Sequence, residues 1–363
     1  NTGVGYAAGQ YNETGTNNTY LGANAGRGVS GNSNNGNTAV GQDALVAITT
    51  GAGNIAIGWD AGDSITTGGS NVMIGKGAGK GTADVDKCVI IGDGAGESTL
   101  VAAADSTVAV GTSALAALTS GGGNTAVGYK AGTAIVDGPN NTAIGYQAMD
   151  ALVGGQGNTA LGYNALTAAN ASEEYNTCLG YGAGDTIDDG SANTCLGALT
   201  RTSAADSGNQ IVIGFNFSGT ADDAVHIGNA GRHIRCDYGS DQTWDAGSDE
   251  RIKTVTGDSP LGLDFINDFP VITYNWKAPS EYPEEFNDYD AGKTEPSDTL
   301  QHHGVTAQSV KAALDNVDGV TNFSGWDEDP DGMQTVGESA FVWPLIKAVQ
   351  ELTAKVKALE DAQ

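Results

Sequence analysis

The sequence predicts a mainly β protein: a solenoid of coils about 17 residues long, followed by a small α+β domain with a C-terminal coiled-coil helix. Three observations carry this reading: a glycine that returns at a nearly constant step, an aliphatic residue that always precedes it, and a change of composition past residue 230. The glycines are Gly5, Gly22, Gly41, Gly58, Gly75, Gly92, Gly111, Gly128, Gly145, Gly162, Gly180, Gly197, Gly214 and Gly228. Most steps are 17 residues, with two of 19, one of 18 and a closing one of 14. A short fixed period marks a chain in which each unit buries its apolar face only against its neighbours.

The coil follows from the repeat. The residue before the glycine is Val, Leu or Ile in all fourteen copies, and ten carry Asn four residues before it, including Asn18, Asn37, Asn54, Asn124, Asn141, Asn158 and Asn193. In a strand reading Asn-Thr-Ala-Val-Gly, Thr and Val share one face while Ala and Gly share the other. One face can form a thin apolar core, and the other admits close approach of a second backbone. A unit this short cannot hold a pair of helices, and the intervening Gly, Asn, Thr and Asp form turns. Each unit therefore reads as a short strand, a turn, a second stretch and a return. Asn at equivalent places should stack into a ladder spaced about 4.8 Å. The little apolar bulk per coil predicts a poorly filled lone solenoid that packs against identical copies. A flexible Gly/Asn-rich segment would not keep an aliphatic residue in every copy.

Motifs such as Asn37-Thr38-Ala39-Val40-Gly41 and Asn141-Thr142-Ala143-Ile144-Gly145 resemble the head of trimeric autotransporter adhesins, over roughly residues 1–230. In that family a shorter Asn-Ser-x-Ala-Ile-Gly repeat builds a left-handed β-roll in a three-chain bundle. The resemblance implies a trimeric solenoid of that type. The period here is longer by about three residues, which would enlarge one turn of each coil.

With 44 acidic against 16 basic side chains and a formal charge of −28, the chain repels nucleic-acid phosphates and anionic membranes, so neither is expected as a partner. Three copies would triple that charge, which fits salty surroundings or surface cations. No apolar run approaches the length of about 20 residues that membrane insertion needs, and no signal peptide is visible. The chain starts inside a repeat, at Asn1, so an upstream part carrying any targeting or attachment segment is expected. The cysteines are Cys88, Cys178, Cys195 and Cys236. Cys178 and Cys195 hold the same place in neighbouring coils, either as stacked small apolar residues or as a disulfide. No CxxC or Cys/His spacing suggests a metal, and no cofactor is expected.

We expect the solenoid to occupy residues 1–235, a linker 236–247, and a second domain 248–363. Past about Ala230 the repeat stops, and four of the five Trp and seven of the eight Pro lie there. That region is long enough for its own modest core. Its landmarks come in order: Gly247-Ser248-Asp249-Glu250-Arg251-Ile252-Lys253, Pro270-Val271-Ile272-Thr273-Tyr274-Asn275-Trp276-Lys277, His303-Gly304-Val305-Thr306-Ala307-Gln308-Ser309-Val310, and a terminal helix.

That order resembles the C-terminal intramolecular chaperone of endosialidase-type phage tail spikes and tail fibres, a self-cleaving domain also found in a membrane-tethered eukaryotic transcription factor family. The resemblance covers residues 248–363 and implies a catalytic Ser and a Lys five residues later, here Ser248 and Lys253. A serine hydroxyl becomes nucleophilic when a neighbouring base takes its proton, and burial on trimer assembly would keep the lysine neutral enough to do so. Arg251 would aid or compete. Attack on the carbonyl preceding Ser248 passes through a five-membered ring and attack on its own carbonyl through a four-membered one. Scission of Gly247-Ser248 is therefore favoured over Ser248-Asp249. Gln308 and His303, in the stretch resembling the family's Gly-x-x-Ala-Gln motif, are candidate supports for the oxyanion. The alternatives are a Ser-Asp helix cap followed by a solvated lysine, a turn-fixing Gln308 and a surface His303.

The terminal helix should run from Ser339 to Ala362. Leu345, Leu352 and Leu359 stand a heptad apart with Val349 and Val356 interleaved, a coiled-coil seam. Val at one core place and Leu at the other favours two strands, so the rest of the assembly must set three. The other reading is an amphipathic helix packed on its own domain.

Together these features point to a structural protein: the shaft or distal part of a viral tail fibre, assembled in the host cytoplasm and extracellular after release. At most it performs a single self-cleavage. Chains slipped by one coil bury nearly the same surface as chains in register, so the non-repetitive end must set the alignment. A bacterial surface trimeric adhesin is the first alternative, though the membrane-anchoring strands of an autotransporter are not seen. The second is a fibre carrying a glycan-degrading module upstream, since the repeats show no paired carboxylates at a fixed cleft. Tyr6, Trp59, Tyr129, Tyr146, Tyr163 and Tyr181, each after a glycine, suit either a host receptor glycan or a repeated packing role.

Overall fold

The computed structural model describes residues 1–168, 173–230, 232–238, 245–246, 254–320 and 322–362. The chain divides into two compact units, Asn1–Asp249 and Glu250–Gln363.

The first unit is a β-solenoid. Twelve strands of three residues, from Thr2–Val4 to Thr194–Leu196, and two longer ones, Gln210–Phe215 and Ala224–Asn229, stack as consecutive parallel neighbours in one sheet. The register is one coil per rung, with Thr142 beside Thr125 and Thr159, and Ile144 beside Val127 and Leu161. The last coil is closed by Arg232–Asp237, which runs antiparallel to Ala224–Asn229 and in turn pairs with Asp245–Ala246. An antiparallel closure ends the parallel stack and occupies its open edge. Among the described residues, the second stretch expected in each coil consists of turns and bends for most of the length, with an isolated bridge between Asn12 and Asn32 and a short second sheet where Thr200–Arg201 meets Phe217–Ser218.

The middle residue of each strand points inward: Ala39, Ala56, Met73, Ile90, Ala109, Ala126, Ala143, Ala160, Cys178, Cys195 and Val212 are buried. The aliphatic residue before the glycine therefore faces out, together with the strand's first residue. A second inward column is formed by the alanine three residues past the glycine, as at Ala44, Ala61, Ala114, Ala131 and Ala148, and a third by Ile48, Ile65, Leu118, Ile135 and Leu152. The expected poorly filled interior is not found. The coil is narrow enough for two alanines and one larger residue to close it.

Fine fitting between coils supports this. The position four past the glycine lies in the left-handed region whether it holds Gly62 or Gly132, at φ of 55° and 59°, or Leu45 or Leu115, at 51° and 50°. A Cβ on Gly132 would fall 2.8 Å from Leu115 Cδ2, so a large residue in one coil uses the space that a glycine leaves in the next. The strand-end glycines have a different reason. At Gly145 φ is 134°, and a Cβ would sit 2.3 Å from the Gly162 carbonyl oxygen. The second backbone that approaches this position is the chain's own next coil.

The asparagines form the expected ladder, and they are buried. Asn141 Oδ1 accepts the Asn158 backbone N–H at 2.9 Å, while Asn141 Nδ2 donates to the Gly155 carbonyl at 2.8 Å. Asn158, Asn176 and Asn193 repeat this arrangement. The ladder closes turn carbonyls that no strand reaches. It is interrupted at Cys88 and Thr107, where Thr107 Oγ1 donates instead to the Ala104 carbonyl at 2.7 Å. Cys178 and Cys195 are register partners, buried and free rather than disulfide-bonded. Contact with Cys195 and burial push the Cys178 thiol well up.

The second unit has a small aromatic core. Helix α1 (Leu263–Asn267) contributes Phe265, which meets Phe269 and Phe323 edge-on at 5.2 and 5.7 Å. Helix α2 (Ala307–Asp315) adds Val310, Ala313 and Leu314. Helix α3 (Val342–Asp361) follows a 3₁₀ turn, Glu338–Phe341, so the α-helix begins three residues later than expected. Glu351 of α3 accepts the Leu263 N–H at 2.8 Å and caps α1, whose own N-cap is the side-chain-free Gly262.

Candidate functional site

Two of the C-terminal landmarks meet on one hairpin. Strand Ile272–Tyr274 pairs antiparallel with His302–Gly304, setting Thr273 opposite His303 and Tyr274 opposite His302. From His303 the chain passes Thr306, whose side chain caps α2 by accepting the Ser309 N–H, and Gln308 is the second residue of the helix. Both His303 and Gln308 are exposed on a cleft of about 1050 Å³ whose apolar wall includes Ile266, Phe269, Trp276 and Phe341. The structure thus brings the two candidate supports to one cleft. Gly247, Ser248, Asp249, Arg251 and Lys253 lie outside the described residues.

His302, not singled out from the sequence, is the more constrained histidine. Its Nε2 stands 3.0 Å from Asp298 Oδ1, and its ring stacks on Tyr274 at 5.4 Å and meets Trp276 edge-on at 6.1 Å. The His302 hydrogen bond and the Leu300 N–H hold the Asp298 carboxyl below its usual range. A sequence signal existed in the spacing of Tyr274 and Trp276, which puts both rings on one side of an extended chain. Their cross-strand partner is set by the pairing and is not visible in the sequence.

The seam of α3 is uncovered within its own unit. Leu345, Val349, Leu352, Val356 and Leu359 are exposed, as are Val342, Trp343 and Ile346, while only Pro344 and Ala348 of the helix are buried. An exposed apolar stripe of that length stands out on so acidic a chain.

On the solenoid, Tyr129, Tyr146, Tyr163 and Tyr181 stack ring on ring with centroids 5.0 to 5.3 Å apart. Their faces are taken by one another, leaving edges outward. A sugar that stacks on aromatic faces would find few here, so the column packs as a repeated unit. Among the described residues one group of carboxylates, Glu173, Asp188 and Asp189, brings its oxygens within 4.8 Å. Oxygen donors suit a hard cation, but three fall short of the six to eight that calcium takes, and Glu173 already accepts the Asp189 N–H at 3.1 Å. Among the described residues no helix is long and apolar enough to cross a membrane.

A family model described as the chaperone of endosialidase matches residues 248–319, which span the first landmark from Ser248 onward, the hairpin and α2. Neither a curated protein nor a solved structure matches the chain.

Proposed function

We propose that this chain is a structural component of a viral tail fibre, a rod of stacked coils whose C-terminal unit gathers three copies, sets their register and then separates by cleavage near Ser248. The observation that carries this is the union of a uniform solenoid with a C-terminal match to the chaperone of endosialidase, a match that implies trimeric assembly. The physical need is plain from the register. Every rung pairs Thr- or Val-like residues with their equivalents one coil on, so a slipped alignment costs almost nothing along the rod. A non-repetitive end that trimerises first removes the degeneracy, and folding then propagates coil by coil. Losing that end afterwards leaves a kinetically trapped rod.

In the cleavage step Ser248 Oγ attacks the Gly247 carbonyl carbon, with Lys253 taking the hydroxyl proton. The Gly247–Ser248 amide bond breaks, its nitrogen gains a proton, and water hydrolyses the resulting ester. Gln308 and His303, together on their cleft, are the donors we assign to the developing oxyanion. The rod belongs on the virion, assembled in the host cytoplasm. A bacterial trimeric adhesin is the second reading, favoured only by the likeness of the repeats.

The test is denaturing electrophoresis of the freshly expressed full chain beside Ser248→Ala. A fragment of about 115 residues in the parent, absent from the variant, supports the scheme. Uncleaved product from both removes the protease claim, and a single-chain particle in the ultracentrifuge removes the assembly claim.

A further inference from the structure

The outward strand positions carry an unclaimed surface. Fourteen coils place two residues each on that face, and none of the 28 is charged, in a chain whose formal charge is −28. The column before the glycine is aliphatic throughout, and much of it is open to solvent: Leu21 is 48% exposed and Leu161 45%. The column beside it is Thr, Val or Ile. Since the interior of the coil is already closed by Ala and Ile/Leu columns, these residues are not needed to fill it, and within their own chain they meet their equivalents one coil away.

We infer that this strand face, exemplified by Leu21, Ile57, Val127, Leu161, Leu179 and Leu196, is where copies of this chain pack side by side, each coil against the same coil of its neighbours. The inference rests on the trimeric reading above and names the side of the rod it uses. Three observations choose the occupant. Thirteen rung spacings of about 4.8 Å make the face about 60 Å long, and only a partner with the same spacing meets each aliphatic residue along it. Another copy has that spacing by construction. A strip of that length and about 10 Å wide offers about 600 Å², close to the roughly 800 Å² per partner of a stable interface. Finally, rods this acidic repel one another, so they approach best across a face that has no charge. In a parallel three-fold arrangement identical residues face each other across the axis.

The experiment uses the full chain with Cys236→Ser as background, leaving the buried cysteines in place. Val127→Cys and Thr142→Cys put a thiol on the two outward columns, and Asp137→Cys puts one on an exposed turn. Each variant is oxidised with copper phenanthroline, run on non-reducing denaturing gels and sedimented in parallel. Folding is checked by the parent's circular dichroism. Both strand-face variants are expected to turn largely into covalent dimers, and Asp137→Cys is not. A trimer that cross-links at Asp137→Cys but at neither strand position overturns the inference while leaving trimeric assembly intact. A single-chain particle overturns both.

Discussion

At the scale of the residue, the buried asparagines are the most costly parts of the rod to remove. Asn141 closes the backbone N–H of Asn158 and the carbonyl of Gly155, both of them in buried residues. Asn141→Ala is expected to destabilise the solenoid by about 3 kcal/mol, since leaving buried polar groups unpaired costs more than a hydrogen bond contributes. Denaturant titration of the full chain measures this. Thr at the same place, as at Thr107, should cost less because it reaches one carbonyl. His226 is a pH-sensitive point. It is buried in the last coil, its Nδ1 has no hydrogen-bond partner among the described residues, and burial followed by the charges of His233 and Arg235 lowers its pKa. The unfolded chain therefore takes up a proton that the folded coil disfavours. This contribution to stability is full above about pH 6.5 and is lost as the pH falls below it. Thermal melts at about pH 7.5 and about pH 5.5 should show a larger loss of Tm in the parent than in His226→Gln.

At the scale of the element, a coil and a helix solve the same problem differently. The coil hides its small core within one chain and leaves its outer face for others. Helix α3 hides almost nothing, because Pro344 and Ala348 alone are buried while five heptad residues stay open. The pair Leu352→Asp and Val356→Asp should therefore leave the secondary structure unchanged and weaken assembly, read as a fall in sedimentation coefficient with an unaltered far-ultraviolet spectrum. A helix packed only on its own domain would give the reverse. The heptad spacing made α3 legible in the sequence. Its contact with α1 was not, because the cap that Glu351 supplies to Leu263 crosses 88 residues.

At the scale of the whole molecule, the proposed function turns on the alignment of long repetitive rods, which the C-terminal unit would set. Deleting residues 250–363 should give a chain that still forms β structure but sediments as a broad mixture, because slipped pairings differ little in buried surface. A sharp trimer from that truncation would show that the coils align themselves. The solenoid was legible because its glycines and aliphatic residues obey a period, and a period survives translation into rungs. The companion column of alanines, three past eleven of the fourteen glycines, was also periodic, yet it lies in a turn where no alternation rule applies.

Spacing alone decides that Gly145 must be a glycine and that Asn141 stacks on Asn158, because both follow from one coil lying on the next. Which face of the strand turns inward was decided only by the folded coil: Ala143 is buried, while Thr142 and Ile144 on either side of it are partly open to solvent. The meeting of His302 with Tyr274 was likewise settled by strand pairing across the hairpin. Local sequence carries a side chain's period, whereas its neighbours across a turn depend on where the chain returns.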